Sequence, residues 1–215
     1  MSTERDVLTL AQWLSPAFPV GGFAYSHGLE TVIQRGVIAT ADDLAGWLRD
    51  VLEHGSGRND CILLRAAYAS GDAAALAQVN ATARAFAASS ERLLETGAQG
   101  DAFCDTANAV WGAGPVGLVY PVAVGANAAR LGIDPDLTAA MYLQCFTSNL
   151  VSAAVRAVPL GQTEGQVVLA ELSKLCGDIA RGTAQATLDD LHSSAFASDI
   201  AAMTHETLQP RIFRS

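Results

Sequence analysis

Every strong hydrophobic period in this chain lies near 3.6 residues, and none lies near 2. Leu44, Trp47, Leu48, Val51 and Leu52 share one helical face, and Leu76, Val79, Ala83 and Phe86 share another. No segment carries sustained alternation of β-branched residues, so the chain offers nothing from which to build a sheet. Start and stop signals agree with that reading. Thr3 with Asp6, Thr40 with Asp43 and Thr163 with Gln166 read as capping boxes, and Asp72 as a helix N-cap. Asp134-Pro135 pairs a cap with proline at the first helical position, while Gly36, Gly55 and Gly132 close helices. The pattern predicts an all-α, single-domain bundle of roughly nine to ten helices over residues 1–215. The segment Gln209–Ser215, which contains Pro210, is expected to be a flexible tail.

The expected helices follow one another with short breaks. One covers the first dozen or so residues, and a second runs from about Gly22 to Arg35. Others follow Thr40, Asp60 and Asp72. A long helix opens at Ser89-Ser90 and continues to Trp111 despite Gly97 and Gly100, which close helix–helix approach would explain. After Pro115 the helical pattern resumes over Tyr120–Leu131, then Asp134–Pro159, then from Thr163 onward, and last over Ser198–Leu208.

The stretch Leu14–Glu30, LSPAFPVGGFAYSHGLE, is unlike the rest. It holds Pro16 and Pro19, the pair Gly21-Gly22, three aromatic residues and one formal charge, Glu30. If a helix begins at Gly22, then Tyr25, Leu29, Val32 and Ile33 face inward. Phe23, His27 and Glu30 then fall at i, i+4 and i+7 on another face, with Glu30 an exposed, lone carboxylate. The stretch reads either as a tight helix–loop–helix corner or as a surface for another molecule.

Composition narrows the functional classes. A formal net charge of -9 argues against a nucleic-acid partner and suits a basic protein partner or simple solubility. Hydrophobic residues at 50% with charged residues at only 16% suggest apolar surface covered by a second chain. There is no run of about eighteen apolar residues and no secretory pattern, so a soluble, cytoplasmic protein without a membrane span is expected. Cys61, Cys104, Cys145 and Cys176 stand far apart, as do His27, His54, His192 and His205, and no chelating spacing predicts a metal. Ser26 and Ser148 lack a nucleophile elbow or neighbouring base. Gly112, Gly114 and Gly117 spell a GxGxxG, which would make a dinucleotide-dependent oxidoreductase the competing reading. That motif requires a preceding strand, whereas DTANAVW is helical in pattern.

Three separated segments carry a family resemblance. SPAFPVGGFAYSHGLE, TSNLVSAAVRAVPLGQTEGQ and MTHETLQPRIFRS resemble, in order, the amino-terminal, central and carboxyl-terminal signatures of the UreF family of urease accessory proteins. The middle of the chain is looser, with Leu93-Leu94 where a polar pair is usual. The resemblance implies an all-α homodimer that binds UreD (also called UreH) and the GTPase UreG and serves nickel insertion into apo-urease. It implies an adaptor without catalysis, catalytic residues or cofactor. Carried over by position, the partner-facing set is Pro19, Gly21, Gly22, Tyr25, Ser26, Gly28 and Glu30, with Arg211 and Arg214 in the tail.

Overall fold

The computed structural model describes residues 3–215, and among them the regular structure is entirely helical. The α-helices are α1 (Glu4–Trp13), α2 (Leu29–Gln34), α3 (Ala41–His54), α4 (Ser56–Tyr68) and α5 (Ala73–Ala85). They are followed by α6 (Ser90–Trp111), α7 (Tyr120–Leu131), α8 (Pro135–Ala157), α9 (Gln162–Gly182) and α10 (Phe196–His205). Two short 3-10 turns, Gly22–Ala24 and Leu188–Asp190, complete the set.

The expected caps form where their chemistry permits. The Thr3 and Thr40 hydroxyls accept the amides of Asp6 and Asp43, whose carboxylates accept the cap amides in return. Asp72 and Ser89 cap α5 and α6, and Asp134 accepts the amides of both Asp136 and Leu137 at the start of α8. The box expected at Thr163 is displaced: α9 starts at Gln162, and Glu164 reaches back to the Gly161 amide at 2.7 Å. Helix α4 starts four residues before Asp60, immediately after Gly55. Phe86, expected inward, is exposed at the end of α5.

Helix α7 is the axis of the bundle. Tyr120–Gly125, Asn127 and Ala128 are all buried, so it is apolar nearly all round, as a central helix must be. Helix α4 crosses it so closely that a Cβ on Gly125 would stand 2.1 Å from the Leu64 carbonyl oxygen. A Cβ on Gly100 of α6 would stand 1.9 Å from the Leu118 carbonyl oxygen. Close approach therefore explains Gly100, while Gly97 faces open space. Edge-on aromatic contacts lock α1 onto this centre, with Trp13 ring centroids 5.1 Å from Phe103 and 5.6 Å from Trp111. Gly112–Gly117 joins α6 to α7. No strand exists among the described residues, so the structural context of a dinucleotide-binding motif is missing.

Candidate partner-binding site

The sequence-expected helix from Gly22 to Arg35 does not form as one piece. A single 3-10 turn covers Gly22–Ala24, the chain then extends at Tyr25, and α2 begins only at Leu29. Gly21 and Gly28 take left-handed φ of 70° and 77°, and His27 between them takes 61°. The i, i+4, i+7 stripe of Phe23, His27 and Glu30 therefore does not exist. Phe23 is exposed, whereas His27 and Glu30 are buried. Gly28 has a second constraint, since a Cβ there would lie 2.5 Å from the Ala202 amide nitrogen of α10. The break in the helix lets α10 pack directly on the loop.

Residues 209–215 are a bonded strap in this structure and not the loose end that the sequence suggested. The Glu30 carboxylate accepts the amides of Ile212 at 2.7 Å and Phe213 at 3.0 Å, and its Oε2 lies 3.2 Å from His205 Nε2. The Arg214 amide donates to the Ala24 carbonyl at 2.9 Å, and the Ser215 carbonyl oxygen accepts both the amide and the hydroxyl of Ser26. Gln34 Nε2 reaches the Pro210 carbonyl at 3.0 Å. Phe213 is buried, with the Arg156 guanidinium 4.8 Å from its ring centroid. A short extended segment has no partners of its own for its amides, and here the loop supplies them.

Two turns of α6 complete the receiver. Glu91 pairs with Arg211 and, at 2.7 Å, with His205 Nδ1, so His205 sits fully buried between two carboxylates. Glu95 pairs with Arg92 and accepts the Ser215 hydroxyl and, at 3.3 Å, Gln99 Nε2. Burial works to raise both Glu30 and Glu95. The strap amides and His205 outweigh it for the first, and Arg92 and His27 for the second, so both carboxyls are held below their ordinary range. Asp60 is the opposite case. Burial pushes its carboxyl up to about 6 against the pull of Arg92 and the 2.7 Å bond from the Tyr142 hydroxyl. A cavity of about 110 Å³ is lined by His27, Ser56, Asp60 and Arg92 together with apolar side chains such as Leu63 and Phe86.

The structure divides the sequence-expected set. Pro19, Arg211 and Arg214 are exposed, and Gly21 and Gly22 half-buried. Tyr25, Ser26, Gly28 and Glu30 are buried within the chain, so the expectation of an outward-facing Glu30 is corrected: its carboxylate faces the strap. Sequence reading missed Glu91, Arg92 and Glu95, whose only signal was their spacing on one side of a capped helix start. No group of three or more His, Cys, Asp and Glu side chains that could hold a metal occurs among the described residues.

The loop, strap and α6 start thus come from the two ends and the middle of the chain. The sequence model of the UreF family matches residues 38–173, well over half of the chain. The chain is 52% identical over 215 residues to the urease accessory protein UreF of Roseobacter denitrificans, covering all of this chain and 96% of that one. It is 50% identical over 213 residues to the urease accessory protein UreF of Ruegeria pomeroyi, covering 99% and 98%. The chain belongs to the UreF family. The strap and its receiver are therefore features of a UreF chain, although the family model itself spans neither the 21–30 loop nor the strap. No described helix of this UreF chain is long and apolar enough to cross a membrane.

Proposed function

We propose that this chain acts in urease maturation as a non-catalytic, cytoplasmic adaptor, one homodimeric domain over residues 1–215 that bridges UreD/UreH and the GTPase UreG while nickel is delivered to apo-urease. Full-length likeness to relatives named urease accessory protein UreF supports the maturation role. One structural observation carries the adaptor reading: the strap lies on the 21–30 loop, so the two halves of the expected site become one surface. Pro19, Gly21, Gly22, Arg211 and Arg214 form its outward part. Tyr25, Ser26, Gly28 and Glu30 hold that part in shape from beneath.

Glu30, Glu91 and Glu95 are engaged in internal bonds, and on this reading nickel is cargo of the assembly. Co-expression with UreD and UreG tests the reading. The expected result is a complex that co-elutes in gel filtration and loses UreG when the strap is removed. A chain that stays alone with both partners present sinks the adaptor role. A chain that turns over a substrate in the absence of partners sinks the non-catalytic one.

A further inference from the structure

The chamber of about 110 Å³ beside His27 takes none of its walls from the strap. Helix α4 supplies Ser56 and Asp60, α6 supplies Arg92, and α10 supplies Asp199, while Leu63, Phe86 and Pro121 make an apolar side. Its polar groups keep hydrogen-bonding capacity that no neighbour among the described residues takes up. Arg92 pairs with Glu95 through Nη1, and its other two guanidinium nitrogens donate no hydrogen bond. Asp60 accepts the Tyr142 hydroxyl on Oδ2 at 2.7 Å, which leaves Oδ1 unused. Asp199 accepts the Ser193 hydroxyl on Oδ2 at 2.8 Å, and its Oδ1 is unused as well. Arg92 is the one Arg or Lys in the wall, and burial followed by the Arg92 charge holds the His27 ring below its usual range.

These groups select a ligand by charge. An anion would meet two carboxylates, with Arg92 already matched by Glu95. A cation would meet the Arg92 guanidinium. A neutral group that offers one carbonyl oxygen and two or more N–H donors satisfies both kinds of wall at once. A polar space of this size takes about four to six non-hydrogen atoms in place of a few waters. We propose that the chamber is a binding site for a small neutral amide, whose carbonyl oxygen accepts from Arg92 and whose N–H groups donate to Asp60 and Asp199. Each of these bonds has one charged partner, which makes it stronger than a bond between neutral groups. Occupancy bears on the partner-facing corner as well, because Arg92 also holds Glu95, and Glu95 accepts the Ser215 hydroxyl of the strap. The site goes beyond the adaptor reading and does not depend on it.

The test uses the full chain, with urea and acetamide as probes titrated to about 50 mM, well under the molar concentrations that unfold proteins. Backbone amide signals in nuclear magnetic resonance spectra are followed, together with a melting curve. The expected result is saturable shifts confined to residues around the chamber, with a dissociation constant on the order of 1 mM. Acetate and guanidinium should bind about ten-fold more weakly or not at all, because each buries an unmatched charge. Arg92→Lys keeps the charge but loses the fork, and should weaken both amides by roughly ten-fold. Ala87→Phe, in the chamber wall and outside any helix, should fill the space and abolish binding. Should either variant misfold, a crystal soaked in acetamide reads the chamber directly. Shifts that stay linear and scattered over the surface, or a soaked chamber holding water only, overturn the inference. So does equal binding of acetate or guanidinium, or undiminished binding by a folded Ala87→Phe. None of these outcomes touches the adaptor reading, which co-elution with UreD and UreG decides separately.

Discussion

The crossing of α4, α6 and α7 and the corner of the 21–30 loop with the strap are both buried, but they are held by different physics. At the crossing, apolar side chains and two glycines bring backbones together, and the attraction is non-directional. At the corner, three carboxylates and Ser26 take up the backbone and side chains of a segment that has no secondary structure. Apolar packing tolerates small shifts yet punishes added volume, whereas a hydrogen-bonded corner punishes the loss of one partner. The contrast teaches where this chain has latitude. Its centre is set by shape and its proposed contact face by a few polar atoms.

The contrast breaks most severely at the centre. Gly125→Val places atoms where the Leu64 carbonyl lies, and neither backbone can give way without separating two long helices. We expect a loss of about 3–5 kcal/mol, read as poor soluble yield or a collapsed urea midpoint. A variant that melts like wild type would show that the helices are not as close as described.

At the corner, Glu30→Ala removes the acceptor for two amides and the neighbour of buried His205. The sequence alone suggested an exposed acid whose loss leaves folding intact. The structure requires a cost on the order of 3 kcal/mol, because the orphaned donors stay buried. Glu30→Gln keeps one acceptor oxygen and should lose roughly half of that. Equal melting of Glu30→Ala and wild type would return Glu30 to the surface.

Removing the strap after Leu208 sharpens the comparison. The centre keeps its packing, so the truncated chain should still fold. It loses the burial of Phe213, worth about 2 kcal/mol, and should melt roughly 4–8 °C lower. Assembly with UreD and UreG should disappear. A truncated chain that no longer gives a helical circular dichroism spectrum would make the strap part of the core. One that still assembles would end its proposed role.

The smallest effect separates acids by their surroundings. Glu30 and Glu95 are held below their usual range, so their contribution is present at neutral pH and fades as pH falls through their folded values. Asp60, raised to about 6, works the other way: above that pH its ionised form is disfavoured by folding. Asp60→Asn should therefore melt slightly higher than wild type at pH 7.5, an advantage that shrinks as pH falls below about 6 and is gone below about 3.8. A lower melting temperature at pH 7.5 would mean that the hydrogen bond from Tyr142 outweighs the cost of burying the Asp60 charge.

The helices were legible because helical periodicity and caps are local: Thr3, Thr40, Asp72, Ser89 and Asp134 each satisfy amides within three residues. The position of the proposed site was legible too, since Gly21, Gly28 and the prolines announce a departure from regular backbone. Which way its residues face was not. Glu30 meets Ile212 and Phe213 across 182 and 183 positions, and Glu95 meets Ser215 across 120, separations that no periodicity encodes. The same limit hid the difference between Gly97 and Gly100, identical in sequence yet one open and one against the Leu118 carbonyl. Local hydrogen bonding and hydrophobic period determined the elements of this protein. Their packing alone decided which polar groups would find partners inside it, and which arginines were left facing out.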